Sequence, residues 1–163
     1  MHPCESETAP NQAPCSGSGL FGPSDRLVTR QTFPGCYDSL DDIRRFAARA
    51  AESAGLSEEE IYAVQLAVDE ASANIIDHAY GGEYQGDIEC ICTVEPDALT
   101  IELRDRGQPF DPTDVAEPDL ECQLDDRQTG GLGLVLMRKL MDAVRFEFGD
   151  EGNTLTLVKR RER

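Results

Sequence analysis

The sequence predicts an α/β two-layer sandwich (α+β), with one mixed, mostly antiparallel sheet and helices packed on a single face. Three observations predict it. Residues 39–55 and 57–82 carry helix grammar twice in succession, each with its own start and stop signals. Two strand pairs follow, 87–95 with 98–107 and 143–149 with 154–160, each split by a short turn. Between the pairs, a long acidic segment containing prolines gives way to a glycine-rich helix start at 129–142.

Residues 1–26 are rich in Pro, Gly, Ser and small polar groups, and read as a disordered tail before a single domain spanning 27–163. "RLVTRQTF" supplies a first strand. In "SLDDIRRFAARAAESAG", Ser39 is the expected N-cap, acids fill the first turn and Gly55 ends the helix. In the next helix Ser57 caps, Glu60 stands at the capping-box position and Gly81 is the stop. Its residues Ile61, Val64, Val68, Ala71 and Ile75 recur at three and four, which makes a core stripe. The strand runs "DIECICTVE" and "ALTIELRDRG" are divided by "PD", and the last two by "DEGN".

The formal charge is −17, from 32 acidic and 15 basic residues. Such a surface repels phosphate backbones, which argues against direct DNA or RNA binding. It suits a basic protein partner, or solubility alone. No apolar run approaches the ~18 residues a membrane span needs. The N-terminus lacks the basic start and apolar stretch of a secretory signal, so the expected location is the cytoplasm. The six cysteines form no C-x-x-C pair and no Cys/His cluster, so they read as reduced thiols, with Cys90 and Cys92 on one strand face.

Glu70, Asn74 and His78 stand four apart along the second helix. At about 100° per residue this line lies roughly a quarter turn from the core stripe, at the edge of the helix–sheet interface. A polar line there is by itself an ordinary solvated flank, although Asn has no propensity reason to sit mid-helix. In "LTIELRDRG", Leu99, Ile101 and Leu103 share a face, and Asp105 is next in the series, followed at once by Gly107. An inward carboxylate at a strand end requires donors: a helix N-terminus, water, or the exocyclic amine of a purine. "TGGLGL" has three glycines within four residues at a helix entry, which suits close approach of a phosphate chain or tight helix packing. It lacks the lysine of a Walker A loop and follows no strand, unlike a dinucleotide fingerprint.

Together and in this order, "DEASANIIDHAY", "LRDRGQPFDP" and "TGGLGLVLMRKLMD" resemble the Bergerat fold of GHKL ATPases, and within it the anti-sigma-factor serine/threonine kinases of bacterial stress-response and sporulation switches. The resemblance covers about residues 27–160. It implies ATP and Mg²⁺ as cofactors, with Asn74 as the Mg²⁺ ligand, Asp105 as reader of the adenine amine and Glu70 as general base. It further implies an ATP site including Asp77, His78, Gly107, Phe110, Thr129, Gly130, Gly131, Leu132 and Gly133, under an ATP lid formed by the acidic segment. Thr129 stands where some relatives place an arginine, and Arg127 is the nearest basic candidate for a phosphate contact. The implied partners are a STAS-type anti-anti-sigma antagonist as substrate, an alternative sigma factor held captive, and a second copy of the chain in a homodimer. Three other readings stay open on these residues: an ATP-gated binding module without transfer activity, a partner-switching kinase whose target lies outside sigma-factor control, and the catalytic domain of a sensor histidine kinase. Against the last stand the presence of only His2 and His78 and the lack of a long dimerisation helix to present an acceptor histidine.

Overall fold

A computed structural model describes residues 25–109 and 129–162. The expected tail, apart from its last two residues, lies outside this range, as do Phe110, Arg127 and the segment read as a lid. Five strands, β1 (Leu27–Pro34), β2 (Asp87–Val94), β3 (Ala98–Asp105), β4 (Ala143–Gly149) and β5 (Gly152–Arg160), form one sheet in the order β1-β2-β3-β5-β4. Every pairing among them is antiparallel. Three helices, α1 (Leu40–Ser53), α2 (Glu58–Asn74) and α3 (Thr129–Leu140), complete the second layer.

Period-two alternation decides which face of the sheet the helices cover. Leu99, Ile101 and Leu103 of β3 are fully buried, as are Cys90 and Cys92 of β2 and Leu157 of β5. They meet the stripe of α2, where Val64, Val68 and Ala71 are fully buried, and Ile43, Ala47 and Ala51 of α1. Each large aliphatic side chain so removed from water contributes about 1.5–3 kcal/mol. On the opposite face, Arg30, Glu89, Arg104 and Glu102 form a chain of ion pairs across β1, β2 and β3. Alanines at 47, 50, 51, 63, 67 and 71 are all buried, and such small side chains let helices pack closely. Arg44 ties the two helices with a 2.9 Å bond to Asp69.

The capping box expected at Ser57 is complete. Ser57 Oγ accepts from the Glu60 N–H at 3.2 Å, and Glu60 Oε2 accepts from the Ser57 N–H at 2.6 Å. The expected cap at Ser39 differs. A short 3₁₀ turn (Tyr37–Ser39) runs straight into α1, leaving Ser39 in a helical conformation with no side-chain cap bond. Its hydroxyl faces the Cys36 thiol instead, at 3.3 Å. The end of α2 also differs from a simple glycine stop. Residues Ile75–Ala79 form a π turn, and only then does Gly81 take a positive φ of 70°. The third difference concerns the "DEGN" turn: β5 begins at Gly152, so Asn153 is a strand residue paired with both Phe148 and Asp105. No helix among the described residues is long and apolar enough to cross a membrane.

Candidate nucleotide site

The site lies where the C-terminal end of α2, the end of β3 and the start of β5 meet under α3. A cleft of about 410 Å³, including its open mouth, is lined there by Asn74, Asp105, Met137, Phe146, Phe148 and Asn153 among others.

Asp105 ends β3 on the buried face, as the alternation predicts, and is 7 % exposed. Its Oδ1 accepts the Gly107 N–H at 2.9 Å and the Asn153 amide at 2.9 Å. Burial pushes the Asp105 carboxyl above its ordinary pKa, and the bonds from Asn153 and Gly107 oppose that shift. Gly107 is required by contact. A β-carbon there would fall 2.4 Å from Ala79 O, in the π turn. The same carbonyl accepts the Gln108 N–H at 2.7 Å. The π turn thereby seats the Asp105–Gln108 segment against the end of α2, in keeping with the frequency of π turns at functional sites.

Glu70 and Asn74 are one helical turn apart and both half-buried. Gly133, inside the first turns of α3, rests on them: a β-carbon there would lie 2.6 Å from Glu70 Oε2 and 3.5 Å from Asn74 Nδ2. Gly133 therefore brings the N-terminal part of α3 onto the polar pair of α2. Thr129, Gly130, Gly131 and Leu132 open α3, and their side chains lie outside the described residues.

Glu70, Asn74, Asp105, Gly107 and Gly133 thus come together. Asp77 and His78 are exposed and do not line the cleft. They sit in the π turn that ends α2. Asp77 accepts a bond from the Tyr37 hydroxyl.

Three further residues belong to the site. Gly-Asn reads as turn chemistry, yet Asn153 continues the parity of Leu155 and Leu157 backwards and so faces the same side of the sheet. Phe148 lies across from it in register and stacks on Phe146, with ring centroids 6.4 Å apart. Tyr80 donates to Asp87 O at 2.5 Å and accepts the Arg106 N–H at 3.1 Å, joining the start of β2 to the end of β3. Nothing in its local sequence marks it.

Comparison with known proteins agrees with this geometry. The profile of the histidine kinase-like ATPase domain matches residues 33–159. The serine/threonine-protein kinase BtrW of Bordetella bronchiseptica is 33% identical over 135 residues, covering 83% of this chain and 92% of the relative. The serine-protein kinase RsbW of Bacillus licheniformis is 35% identical, with 72% and 75% covered, and that of Listeria monocytogenes 36%, with 67% and 71% covered. Among solved structures, the RsbU and RsbW domains of Rv1364c from Mycobacterium tuberculosis superpose with a TM-score of 0.59 at 18% identity, over 82% of this chain and 32% of that one. That likeness is one of fold. The chain belongs to the histidine kinase-like ATPase domain family, in the branch of the RsbW- and BtrW-like serine/threonine-protein kinases.

Proposed function

We propose that this kinase phosphorylates a serine or threonine of a STAS-type anti-anti-sigma antagonist, and that, as a homodimer, it sequesters an alternative sigma factor when the antagonist is phosphorylated. The observation that carries the catalytic part is the meeting of Glu70 and Asn74 with Gly133 beside the cleft that Asp105 enters. The identity of the kinase relatives supports the class of reaction.

In this reading Asp105 accepts a hydrogen bond from the adenine 6-amino group. The glycine-rich start of α3 leaves its N-terminal N–H groups accessible to the phosphates, while Gly107 and Gly133 let the Asp105–Gln108 segment and α3 close on the end of α2. The oxygen donors fit Mg²⁺: the Asn74 amide, with the triphosphate, makes the hard set that this ion takes. When bound, the ion neutralises charge on the β- and γ-phosphates. Glu70, one turn before Asn74, accepts the proton of the attacking hydroxyl. The seryl or threonyl oxygen bonds to the γ-phosphorus, the bond to the β–γ bridging oxygen breaks, and ADP departs.

The formal charge of −17 favours a basic face on the captured sigma factor. The test is transfer of labelled γ-phosphate from Mg-ATP to STAS-domain proteins of the same genome. Label on one serine or threonine, lost in Glu70→Ala and Asn74→Ala, is the expected result. Nucleotide binding without any transfer would instead favour the ATP-gated binding module.

A further inference from the structure

The amide of Asn153 is surrounded by oxygens. Its Nδ2 lies 2.9 Å from Asp105 Oδ1, 3.0 Å from Gly107 O and 3.4 Å from Gln108 O. Three acceptors around one nitrogen fix which end of the amide points inward. Asn153 is 7 % exposed, as is Asp105. Two donors, the Asn153 amide and the Gly107 N–H, converge on the same carboxylate oxygen. An oxygen with two lone pairs is then fully engaged. Oδ2 is left as the acceptor for a ligand.

We propose that Asn153 is the positioning residue for base selection, holding Asp105 as a single-oxygen acceptor so that the cleft takes a 6-amino purine and rejects a 6-oxo purine. This deepens the reading of Asp105 as the base-contacting carboxylate, and rests on it. Donation by Asn153 favours the ionised carboxylate. An ionised Oδ2 accepts from a 6-amino group but meets the oxygen of a 6-oxo purine acceptor to acceptor. Without Asn153 the carboxyl keeps its proton more readily, and a protonated Oδ2 donates to a 6-oxo group. Loss of Asn153 therefore narrows discrimination as well as weakening the preferred ligand.

Two further contacts define how the residue is held. Asn153 pairs with Asp105 on one side and with Phe148 on the other. Gly152 before it is pinned at φ +130°, where a β-carbon would lie 2.4 Å from Asp105 O. The amide consequently stands on a strand that has little room to shift relative to Asp105.

The test measures affinities of ADP and inosine 5′-diphosphate for the full chain carrying Asn153→Leu, which keeps the shape without the donors, and Asn153→Ser, which keeps one donor. The wild type is expected to prefer ADP by on the order of a hundredfold or more. In Asn153→Leu, ADP weakens about tenfold while the inosine nucleotide does not, so the ratio falls about tenfold or more. Asn153→Ser falls between. A merely structural role would weaken both ligands alike and leave the ratio unchanged. An unchanged ratio in folded Asn153→Leu overturns the proposal; should that variant not fold, an unchanged ratio in Asn153→Ser does the same. Equal affinity of the wild type for both nucleotides also overturns it. Tight ADP binding by Asp105→Asn would locate the failure in the reading of Asp105 instead.

Discussion

Gly133 of α3 rests on the carboxylate of Glu70 in α2: a β-carbon at 133 would sit 2.6 Å from Glu70 Oε2. What it would meet is the far end of a flexible side chain, which can swing away. Alanine inside a helix also gains roughly 1 kcal/mol of propensity over glycine. Gly133→Ala is therefore expected to melt within a few degrees of the wild type, yet to lose phosphoryl transfer by on the order of a hundredfold, because Glu70 is driven off its position. ADP binding should fall far less. Melting curves, steady-state transfer rates and ADP titration on the same preparation check all three statements.

Gly107→Ala is the opposite case. The new β-carbon would lie 2.4 and 2.5 Å from the carbonyl oxygen and carbon of Ala79. Backbone cannot swing aside as a carboxylate can. The variant should lose about 1–3 kcal/mol of stability and weaken nucleotide binding, since the π turn and the Asp105–Gln108 segment must separate. Denaturant unfolding beside Gly133→Ala compares the two directly. Equal stabilities would contradict the distinction.

Glu60 links the start of α2 to the C-terminal end of the described chain. One carboxylate oxygen takes the Ser57 N–H, and the other takes the Glu162 N–H at 2.8 Å. The Glu162 N–H, foremost, and the Ser57 N–H hold its pKa below the ordinary glutamate value, against the opposing effect of burial. A depressed carboxylate pKa stabilises the fold above the unfolded-state pKa, and this contribution disappears as pH falls through the folded-state value. Glu60→Ala should cost roughly 1 kcal/mol at neutral pH, and the gap to wild type should close as pH drops below about 4. Urea unfolding at pH 7 and at successively lower pH measures it. A gap that widens on acidification would reverse the sign.

Much of this architecture was legible because it rests on periodicity and caps. The Ser57–Glu60 box, the α2 stripe from Val64 to Ile75 and the inward series Leu99, Ile101, Leu103, Asp105 all follow from spacing alone. What was not legible depends on contacts made across the fold. The π turn leaves no mark in "IIDHA"; it accompanies the contacts of Ala79 O with Gly107 and Gln108, nearly thirty residues on. Ser39 lost its cap because a 3₁₀ turn precedes it, and Asn153 was hidden by turn chemistry that its neighbour Gly152 alone fulfils. The resemblance of the three motif strings implies Asp77 and His78 for the nucleotide site, and the fold places both exposed on the π turn, outside the lining of the cleft.

The Asp105 carboxyl gives the site a pH dependence of definite sign. Burial raises its pKa, opposed by the bonds from Asn153 and Gly107. A folded-state pKa above the unfolded one stabilises the protonated protein; that contribution is complete below the unfolded value and is lost as pH rises through the folded value. Binding runs the other way. A 6-amino purine needs the carboxylate as acceptor, so at any pH below the raised pKa binding must be accompanied by release of a proton. ADP affinity should therefore increase as pH rises through the raised pKa and level off above it, with proton release on binding in the acidic limb. Asp105→Asn should bind ADP about a hundredfold more weakly near neutral pH and lose that limb, because a neutral amide does not titrate in this range. Calorimetric titration in two buffers of different ionisation enthalpy reads both affinity and proton count. An acidic limb that persists in Asp105→Asn would assign the titration to another group.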